Sequence, residues 1–277
     1  MALISSHLFI GFIIAFAIAL ISYWIGFLSM SGAIAACVLG TIVFGLGGLS
    51  WAILLMGFFI SSSILSKLFK KIKSNFEEKF SKGSRRDLWQ VWANGGVAGV
   101  FVIFHVVFPD QVWPWLAFCG SLAAVNADTW ATELGVLSKT KPVNLINGKA
   151  LEPGSSGGVS WLGIASAFMA ALFIAILAIL FWPKNLIQFS GSSVWLVIIS
   201  ISAAGVLGSL VDSFLGASVQ AMFYCSQCKK ETEKSPVHSC GNETIYIKGW
   251  RWLNNDWVNT FCALTGGVVM VLSVIIK

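Results

Sequence analysis

Residues 126–160 hold most of the side chains in this chain whose types and spacing could support chemistry. On a helix, at about 100° per residue, one arc of roughly 160° gathers an amide, two hydroxyls and two carboxylates: Asn126, Asp128, Thr129, Thr132 and Glu133. The sequence before them is apolar, and an unpaired carboxylate in hydrocarbon is costly. This polar face therefore predicts a site that holds cations, water or a polar partner.

A basic, glycine-rich segment, residues 137–158, follows the polar face. It contains Lys139, Lys141 and Lys149 and ends in a glycine-rich turn before the next apolar run. Backbone N–H groups at such a turn and at a helix start bind phosphate, while carboxylates suit Mg²⁺. We therefore predict a phosphate-binding loop in which Lys149 contributes charge. The turn residues expected to contact phosphate are Gly154, Ser155, Ser156, Gly157 and Gly158.

The composition is that of an integral membrane protein. The chain has 277 residues, of which 57% are hydrophobic and 11% charged, and its mean hydropathy is +0.82. Soluble domains carry about 25% charged residues, and windows of about 20 apolar residues recur along this chain. We predict an all-α polytopic membrane protein in which residues 1–277 form a single membrane domain. The net charge of +6 then reflects membrane orientation and anionic ligands, and we expect no nucleic-acid partner.

The apolar runs predict about eight membrane-spanning helices, and six is the lower bound. The predicted spans are 7–23, 31–47, 49–66, 89–108, 113–136, 159–182, 194–223 and 256–276. The seventh is too long for a straight crossing, so we expect it to be tilted or broken near Gly205, Gly208 or Gly216. Residues 1–6 contain no Lys or Arg, which argues against a cleaved signal peptide and makes the first run a retained span.

The distribution of positive charge orients these spans. Loops 67–88, 137–158 and 224–253 carry eight, three and five of the eighteen Lys and Arg residues. With eight spans all three loops share one side, which the positive-inside rule makes cytoplasmic. We therefore expect a site that faces the cytoplasm, in the plasma membrane.

Two adjacent arginines, Arg85 and Arg86, precede the fourth predicted helix. Guanidinium groups suit phosphate oxygens, although plain anchoring at the membrane surface is an alternative. Asn94 and Gln90 lie one turn apart in that helix and would point toward the same mouth. We predict that Arg85, Arg86 and Asn94 contribute to substrate binding.

Further carboxylates fall in the same halves of the spans. Asp212 lies well inside the seventh span, where an acidic residue is a functional candidate, although a structural ion pair is possible. Near the last span, Asn254 or Asn255 could cap the helix, or Asn255 and Asp256 could bind a ligand. We predict Asp128, Glu133 and Asp212 as Mg²⁺ ligands. The predicted catalytic set is Asp128, Glu133, Lys149, Asp212 and Asp256.

Three cysteines and one histidine cluster in loop 224–253. The spacing Cys225-x2-Cys228-x9-His238-x-Cys240 is typical of a small zinc knuckle with tetrahedral Cys₃His coordination. Four protein ligands leave no open position, so the predicted Zn²⁺ is structural and folds a loop that has no core of its own. Reduced thiols without metal, or a redox pair, are the alternatives.

Ordered motifs between Gly83 and Asn259 resemble a known family. They are GSRRDLWQVWANGG (83–96), NADTWATELG (126–135), PGSSGGVS (153–160), DSxLGAxxQ (212–220) and NDxVN (255–259). Together they are similar to the transmembrane-protein-19-like family, which includes the phytyl-phosphate kinases of plants and cyanobacteria. The resemblance implies a membrane kinase that converts an isoprenoid alcohol monophosphate into its diphosphate, using a nucleoside triphosphate and Mg²⁺. A more distant similarity to dolichol kinases and CDP-diacylglycerol synthases implies CTP as the donor.

Two other functions compete with the kinase. Intramembrane acids and broken helices also occur in cation-coupled transporters, and the Cys/His loop alone could serve a scaffold that recruits a partner. A transporter should show paired repeats and charges near the midplane, whereas here we find no convincing repeat and the charges gather on one side. A scaffold leaves the buried carboxylates without a role, so we favour the kinase.

Overall fold

Eight α-helices account for most of the chain in this computed structural model, which describes residues 2–69, 85–187 and 191–275. Residues 70–84, and with them most of the predicted basic loop 67–88, lie outside the described residues. The helices are α1 (Ala2–Ile25), α2 (Met30–Ile42, continued by a π-helical turn, Val43–Gly47), α3 (Leu49–Leu68), α4 (Leu88–Val107), α5 (Trp113–Gly135), α6 (Trp161–Leu180), α7 (Ser192–Ser218) and α8 (Asn255–Ile275). Each predicted span therefore coincides with one helix.

Among the residues that the structure describes, seven helices are long and apolar enough to cross a membrane, which confirms the predicted polytopic α-helical fold. They are α1, α2 with its π-helical turn, α3, α4, α6, α7 and α8. The eighth, α5, carries the polar face and lies at the centre, where it contacts α3, α4, α6, α7 and α8. Every residue from Pro114 to Ala127 is buried, so α5 is enclosed on all sides over that length.

Small residues bring the other helices close to α5. A Cβ atom at Gly120 would lie 2.4 Å from the Gly266 carbonyl oxygen of α8, and one at Gly208 would lie 2.4 Å from the Ala124 Cβ. Gly205 packs in the same way between α5 and α6. These glycines allow close backbone contact rather than a break, because α7 is continuous. The seventh helix is therefore not broken near these glycines, which leaves the expected tilt as the alternative, and it ends at Ser218 rather than residue 223.

Side-chain caps fix where the helices begin at one end of the bundle. Asp87 forms a capping box with Gln90 at the start of α4, and Ser160 accepts a hydrogen bond from the Gly163 N–H in α6. Asn254 accepts from the backbone N–H groups of residues 256 and 257, so it caps α8. Because Asn254 supplies this cap, the side chain of Asn255 is available for another contact.

Two small β structures lie at the same end of the bundle as these caps. The ribbon of β1 (Val143–Asn144) and β2 (Gly158–Val159) closes the glycine-rich loop. The sheet β4–β3–β5 forms the Cys/His loop, and its antiparallel strands are β3 (Met222–Cys225), β4 (Lys230–Thr232) and β5 (Ile245–Lys248). Segments from all three predicted basic loops therefore meet at one end, as the positions of the lysines and arginines predict.

Candidate functional site

A large polar pocket opens where α3, α5 and α7 end and α4, α6 and α8 begin. It encloses about 1800 Å³, a figure that includes its open mouth. Most of the predicted site residues line it, although they come from five separate parts of the sequence. These are Arg86, Asn94, Asp128, Thr129, Thr132, Glu133, Gly154, Ser155, Ser156, Gly157, Gly158, Asp212 and Asn255.

Two predicted binding residues do not reach this pocket. Asn126 is fully buried, its amide donates to the Ala170 carbonyl at 3.0 Å, and it accepts from the Ser61 hydroxyl at 3.2 Å. Asn126 therefore holds α3, α5 and α6 together. Arg85 is exposed and lies against Gly26, where an added Cβ would be 3.3 Å from the Arg85 Nε.

Two predicted catalytic residues also lie outside the pocket lining. Lys149 is exposed at the end of a tight turn in which its backbone carbonyl accepts from the Asn144 N–H at 2.8 Å. Asp256 lies in the first turn of α8, beside the pocket residue Asn255. Their catalytic roles stay predictions, and the geometry favours Arg86, Asp128 and Asp212 over them.

Carboxylates from α5 and α7 meet in the pocket. The side chains of Asp128 and Asp212 lie within hydrogen-bonding range of each other, and the charge of Glu233 acts on the Asp212 carboxyl. The Oδ2 atom of Asp212 is buried and makes no hydrogen bond to any residue that the structure describes. Acidic groups held this close repel one another unless a proton or a cation lies between them. The donor set is hard oxygen, so it suits Mg²⁺.

Glu233 is a pocket residue that sequence reasoning missed. It follows β4 in the Cys/His loop, and its Oε1 accepts from the Gln220 amide at 2.9 Å. Gln220 is buried and its Oε1 in turn accepts from the Ser156 hydroxyl at 2.9 Å. Gln220 thus joins the Cys/His loop to the glycine-rich loop across the pocket wall. Glu233 stands in a solvated charge run, K-K-E-T-E-K, which gives no sequence signal of this contact.

Arg86 is held at the pocket edge by main-chain pairing with the α1–α2 connection. Its N–H donates to the Phe27 carbonyl and its carbonyl accepts from the Ser29 N–H, both at 3.0 Å. Its guanidinium donates to the Ser62 hydroxyl at 2.9 Å. Burial lowers the pKa of Arg86 to about 10, and the charge of Glu133 opposes that decrease. The guanidinium therefore stays positive at neutral pH and suits an anionic ligand.

Glu133, on α5, faces the same part of the pocket as Arg86. It is buried, and its Oε1 accepts from the Ser66 hydroxyl at 2.7 Å. Its charge acts on Arg86, so the structure places it as a counter-ion on the arginine side of the pocket. Its predicted role as a metal ligand stays a prediction.

The glycine-rich turn lies directly on the backbone of α7. Gly157 has φ +75°, and a Cβ atom there would lie 2.3 Å from the Ala217 backbone nitrogen. Only glycine provides both the left-handed conformation and this close approach. The contact presses the Gly154–Gly158 segment against the pocket wall.

Replacement of Gly157 by alanine is expected to cost about 2–4 kcal/mol of stability, because backbone strain and a steric clash add. The measurement is the thermal unfolding midpoint of the purified protein in detergent. Gly148→Ala is the matched control, since Gly148 has φ +65° but nothing within 4 Å of its added Cβ. Equal shifts in the two variants would show that the contact with Ala217 contributes nothing.

The Cys₃His cluster predicted from the sequence is assembled in the Cys/His loop. The ligand atoms of Cys225, Cys228, His238 and Cys240 all lie within 4.8 Å of one another. The Cys225 and Cys240 sulfur atoms are 3.5 Å apart, near the ~3.8 Å expected for tetrahedral zinc and far from the ~2.05 Å of a disulfide. The four side chains are therefore placed to bind a metal ion such as zinc.

The charge state of the cluster also suits a metal. Hydrogen bonds from the side chains of Asn242 and His238 lower the pKa of Cys240 to about 6, so this thiol is largely deprotonated at neutral pH. The neighbouring Cys240 and Cys225 raise the pKa of Cys228 to about 11 when no metal is bound. A thiolate is the form that binds metal, and a bound cation stabilises further deprotonation.

Comparison with known proteins identifies the family. The sequence pattern described as "Integral membrane protein DUF92" matches residues 13–267. The chain belongs to this family. The match spans the polar pocket and the Cys/His loop, so both lie within the region that defines the family.

Relatives from a plant, an archaeon and a cyanobacterium align along most of the chain. "Protein PGR" of Arabidopsis thaliana is 32% identical over 272 residues, covering 91% of each chain. "Uncharacterized membrane protein MJ0933" of Methanocaldococcus jannaschii is 27% identical, covering 96% of this chain and 94% of the relative. "Uncharacterized membrane protein sll0875" of Synechocystis is 22% identical, covering 85% and 78%. No solved structure shows significant similarity to this chain.

Proposed function

We propose that this protein is a membrane phosphotransferase that moves the terminal phosphoryl group of a nucleoside triphosphate to a lipid monophosphate. The single observation that carries the proposal is the meeting, in one pocket, of the Asp128–Asp212 pair, the glycine-rich turn and Arg86. Phosphoryl transfer requires mainly positioning and neutralisation of charge. The pocket supplies groups of both kinds.

Asp128 and Asp212 are the residues that would hold Mg²⁺, since the buried Asp212 Oδ2 has no hydrogen-bond partner among the described residues. When bound, the ion neutralises charge on the phosphate oxygens of the donor. Backbone N–H groups of the Gly154–Gly158 turn bind the donor phosphates, apart from those of Ser155 and Gly158, which donate within the turn to the Glu152 and Ser155 carbonyls. Thr129 and Thr132 line the same pocket. Arg86, on the α4 side, binds the acceptor phosphate.

The transfer needs no protein nucleophile or general base. An oxygen of the anionic lipid monophosphate attacks the terminal phosphorus of the donor, and a new P–O–P bond forms. The bond from that phosphorus to the bridging oxygen breaks, and the nucleoside diphosphate leaves with the electron pair. The products are a lipid diphosphate and a nucleoside diphosphate.

The finer assignment rests on the family resemblance in the sequence motifs. It favours an isoprenoid alcohol monophosphate as the acceptor and CTP as the donor. The positions of the lysines and arginines support a pocket that faces the cytoplasm, where nucleotides are available, and we propose the plasma membrane as its location. We propose that membrane lipids surround the seven apolar helices, whose length and composition suit a bilayer.

A panel experiment tests the proposed function. Purified protein in lipid nanodiscs is incubated with Mg²⁺, CTP or ATP, and prenyl alcohols or prenyl monophosphates, and products are identified by mass spectrometry. We expect prenyl diphosphate from the monophosphates and no product from the alcohols. Absence of any phosphorylated product from intact protein would contradict the proposal, and cation-coupled uptake into proteoliposomes would then be the next assay.

We further propose that the Cys₃His cluster binds structural Zn²⁺. In this proposal zinc stabilises the Cys/His loop that contains the sheet β4–β3–β5. Through the hydrogen bond between Gln220 and Glu233, that loop in turn supports one wall of the pocket. Purified wild-type protein is expected to contain one zinc ion per chain by elemental analysis. Cys228→Ser is expected to lose the zinc and to lower the yield of folded protein, because three ligands remain.

The matched control for this zinc prediction is Cys37→Ser, a free cysteine on α2 away from the cluster. It should leave the zinc content unchanged. If Cys228→Ser retained a full equivalent of zinc, the cluster would not be the metal site.

A further inference from the structure

An apolar cavity lies between α1, α2, α3 and α4, next to the polar pocket. It encloses about 620 Å³, a figure that includes its open part. Its walls are alanine, leucine, isoleucine and phenylalanine side chains from these helices, such as Ala15, Ala19, Leu39, Leu55 and Phe58. The first third of the sequence, which contributes no predicted catalytic group, therefore helps to enclose an apolar space.

Polar side chains are confined to a few positions of this cavity, and most of those lie at its border with the pocket. Its polar lining residues are Ser22, Arg86, Gln90 and Asn94, and the last three also line the polar pocket. The two spaces therefore share one wall. The guanidinium carbon of Arg86 lies 5.3 Å from the ring centre of Phe58 and 5.8 Å from that of Phe59. Both rings line the apolar cavity.

We propose that this cavity holds the hydrocarbon chain of the acceptor, with its phosphate on Arg86 in the polar pocket. The inference rests on the proposed function and adds to it the place where the apolar chain of the acceptor binds. A soluble phosphorylated metabolite would leave the apolar cavity empty, whereas a lipid monophosphate matches both the charge and the apolar wall. The arrangement also makes the length of the chain a determinant of specificity.

The boundary residues explain how the head of the acceptor is oriented. Asn94 is fixed by its amide, which donates to the Gln90 carbonyl at 2.8 Å, and Gln90 is fixed by the capping box at the start of α4. These residues separate the apolar wall from the carboxylates of α5 and α7. The acceptor phosphate then lies on the Arg86 side, and the donor lies on the glycine-rich side of the same pocket.

A matched pair of substitutions on α1 tests the proposal. Ala19 lines the cavity and is 4% exposed, whereas Ala17 lies on the exposed face of the same helix. Ala19→Phe is expected to lower kcat/KM for geranylgeranyl phosphate relative to geranyl phosphate by about 10-fold or more, because its ring fills space that the longer chain needs. Ala17→Phe should leave this ratio unchanged.

A second measurement uses the wild-type protein and does not depend on turnover. A farnesyl phosphate analogue with a photoreactive group at its apolar end is irradiated with the protein in nanodiscs, and the labelled peptides are sequenced. Labels on α1–α4 cavity residues such as Leu55 and Met56, displaced by unmodified farnesyl phosphate but not by a neutral farnesyl alcohol, support the proposal.

The outcomes separate this inference from the proposed function. One outcome is that the wild type transfers phosphate, both variants show the same kcat/KM ratio for the two chain lengths, and labels fall only on exposed helix faces. This outcome would overturn the cavity assignment but not the kinase function. If displaceable labels were found in the cavity but no phosphoryl transfer occurred, the cavity would be supported as a lipid-phosphate site and the proposed kinase function would be contradicted. Labels displaced equally well by the neutral alcohol would identify a general membrane-lipid cavity and overturn the inference.

Discussion

Asp212→Asn is expected to lower kcat by about 100-fold or more and to leave the protein folded and inserted in the membrane. The reason is that the substitution removes the charge of a buried oxygen, Oδ2, that makes no hydrogen bond within the described residues. The volume of the side chain is nearly unchanged, so packing against α5 is kept. Loss of one preorganised electrostatic group at a transfer site commonly costs 10²–10³-fold.

In the presence of a metal chelator, Asp212→Asn should be more stable than the wild type. When no cation is bound, Asp128, Asp212 and Glu233 must either repel one another or bind a proton between them, and removing one of the carboxylates removes that cost. The thermal midpoint of Asp212→Asn with chelator should therefore exceed that of the wild type, while its stabilisation by added Mg²⁺ should be smaller. A gain in stability with loss of activity is typical of functional sites.

Asp110→Asn is the control for Asp212→Asn. Asp110 is exposed in the connection between α4 and α5, at the opposite end of the bundle from the pocket. It should keep both activity and the response to Mg²⁺. Near-normal turnover in Asp212→Asn, or an unchanged response to Mg²⁺, would refute the assignment of the carboxylate pair as the metal site.

Arg86→Lys is expected to raise KM for the acceptor by about 10–100-fold. Lysine keeps the positive charge but loses the forked geometry, and one charge-assisted hydrogen bond is worth about 1.5–3 kcal/mol. KM for the nucleotide should change little, because we propose that the donor binds at Gly154–Gly158. Steady-state kinetics with each substrate varied in turn measures both values.

The adjacent residue provides the control. Arg85→Lys makes the same change at an exposed side chain that lies against Gly26 rather than in the pocket. It should leave both KM values unaltered. If Arg86→Lys also left both KM values unaltered, the positive charge of the segment would matter only for membrane orientation, and Arg86 would not bind the acceptor.

The sequence predicted the helices and most of the pocket for simple physical reasons. Long apolar runs mark the helices, and the helical period of α5 places Asp128, Thr129, Thr132 and Glu133 on one face. The helical period does not predict how deep a residue lies within the bundle. Asn126 lies on the same arc but further from the pocket mouth, where α3 and α6 close over it, and it bonds to the Ala170 carbonyl instead.

Other differences arise from tertiary contacts that no local pattern encodes. Arg85 and Arg86 are adjacent and alike, and only the pairing of the Arg86 backbone with Phe27 and Ser29 decides which one faces the pocket. Glu233 is distant in sequence from the other carboxylates, and its contact with Gln220 brings it to them. The last span was predicted well because a cap, Asn254, fixes its start.

The measurement that tests the central claim most directly is transfer of label from γ-³²P-CTP or γ-³²P-ATP to geranylgeranyl phosphate by the purified protein with Mg²⁺. Wild type and Asp128→Asn are compared in the same nanodisc preparation, with insertion and thermal unfolding checked in parallel. We expect labelled lipid diphosphate from the wild type and at least a 100-fold lower rate from Asp128→Asn. Equal rates in the two proteins, or no labelled lipid from intact wild type with either donor, would contradict the account.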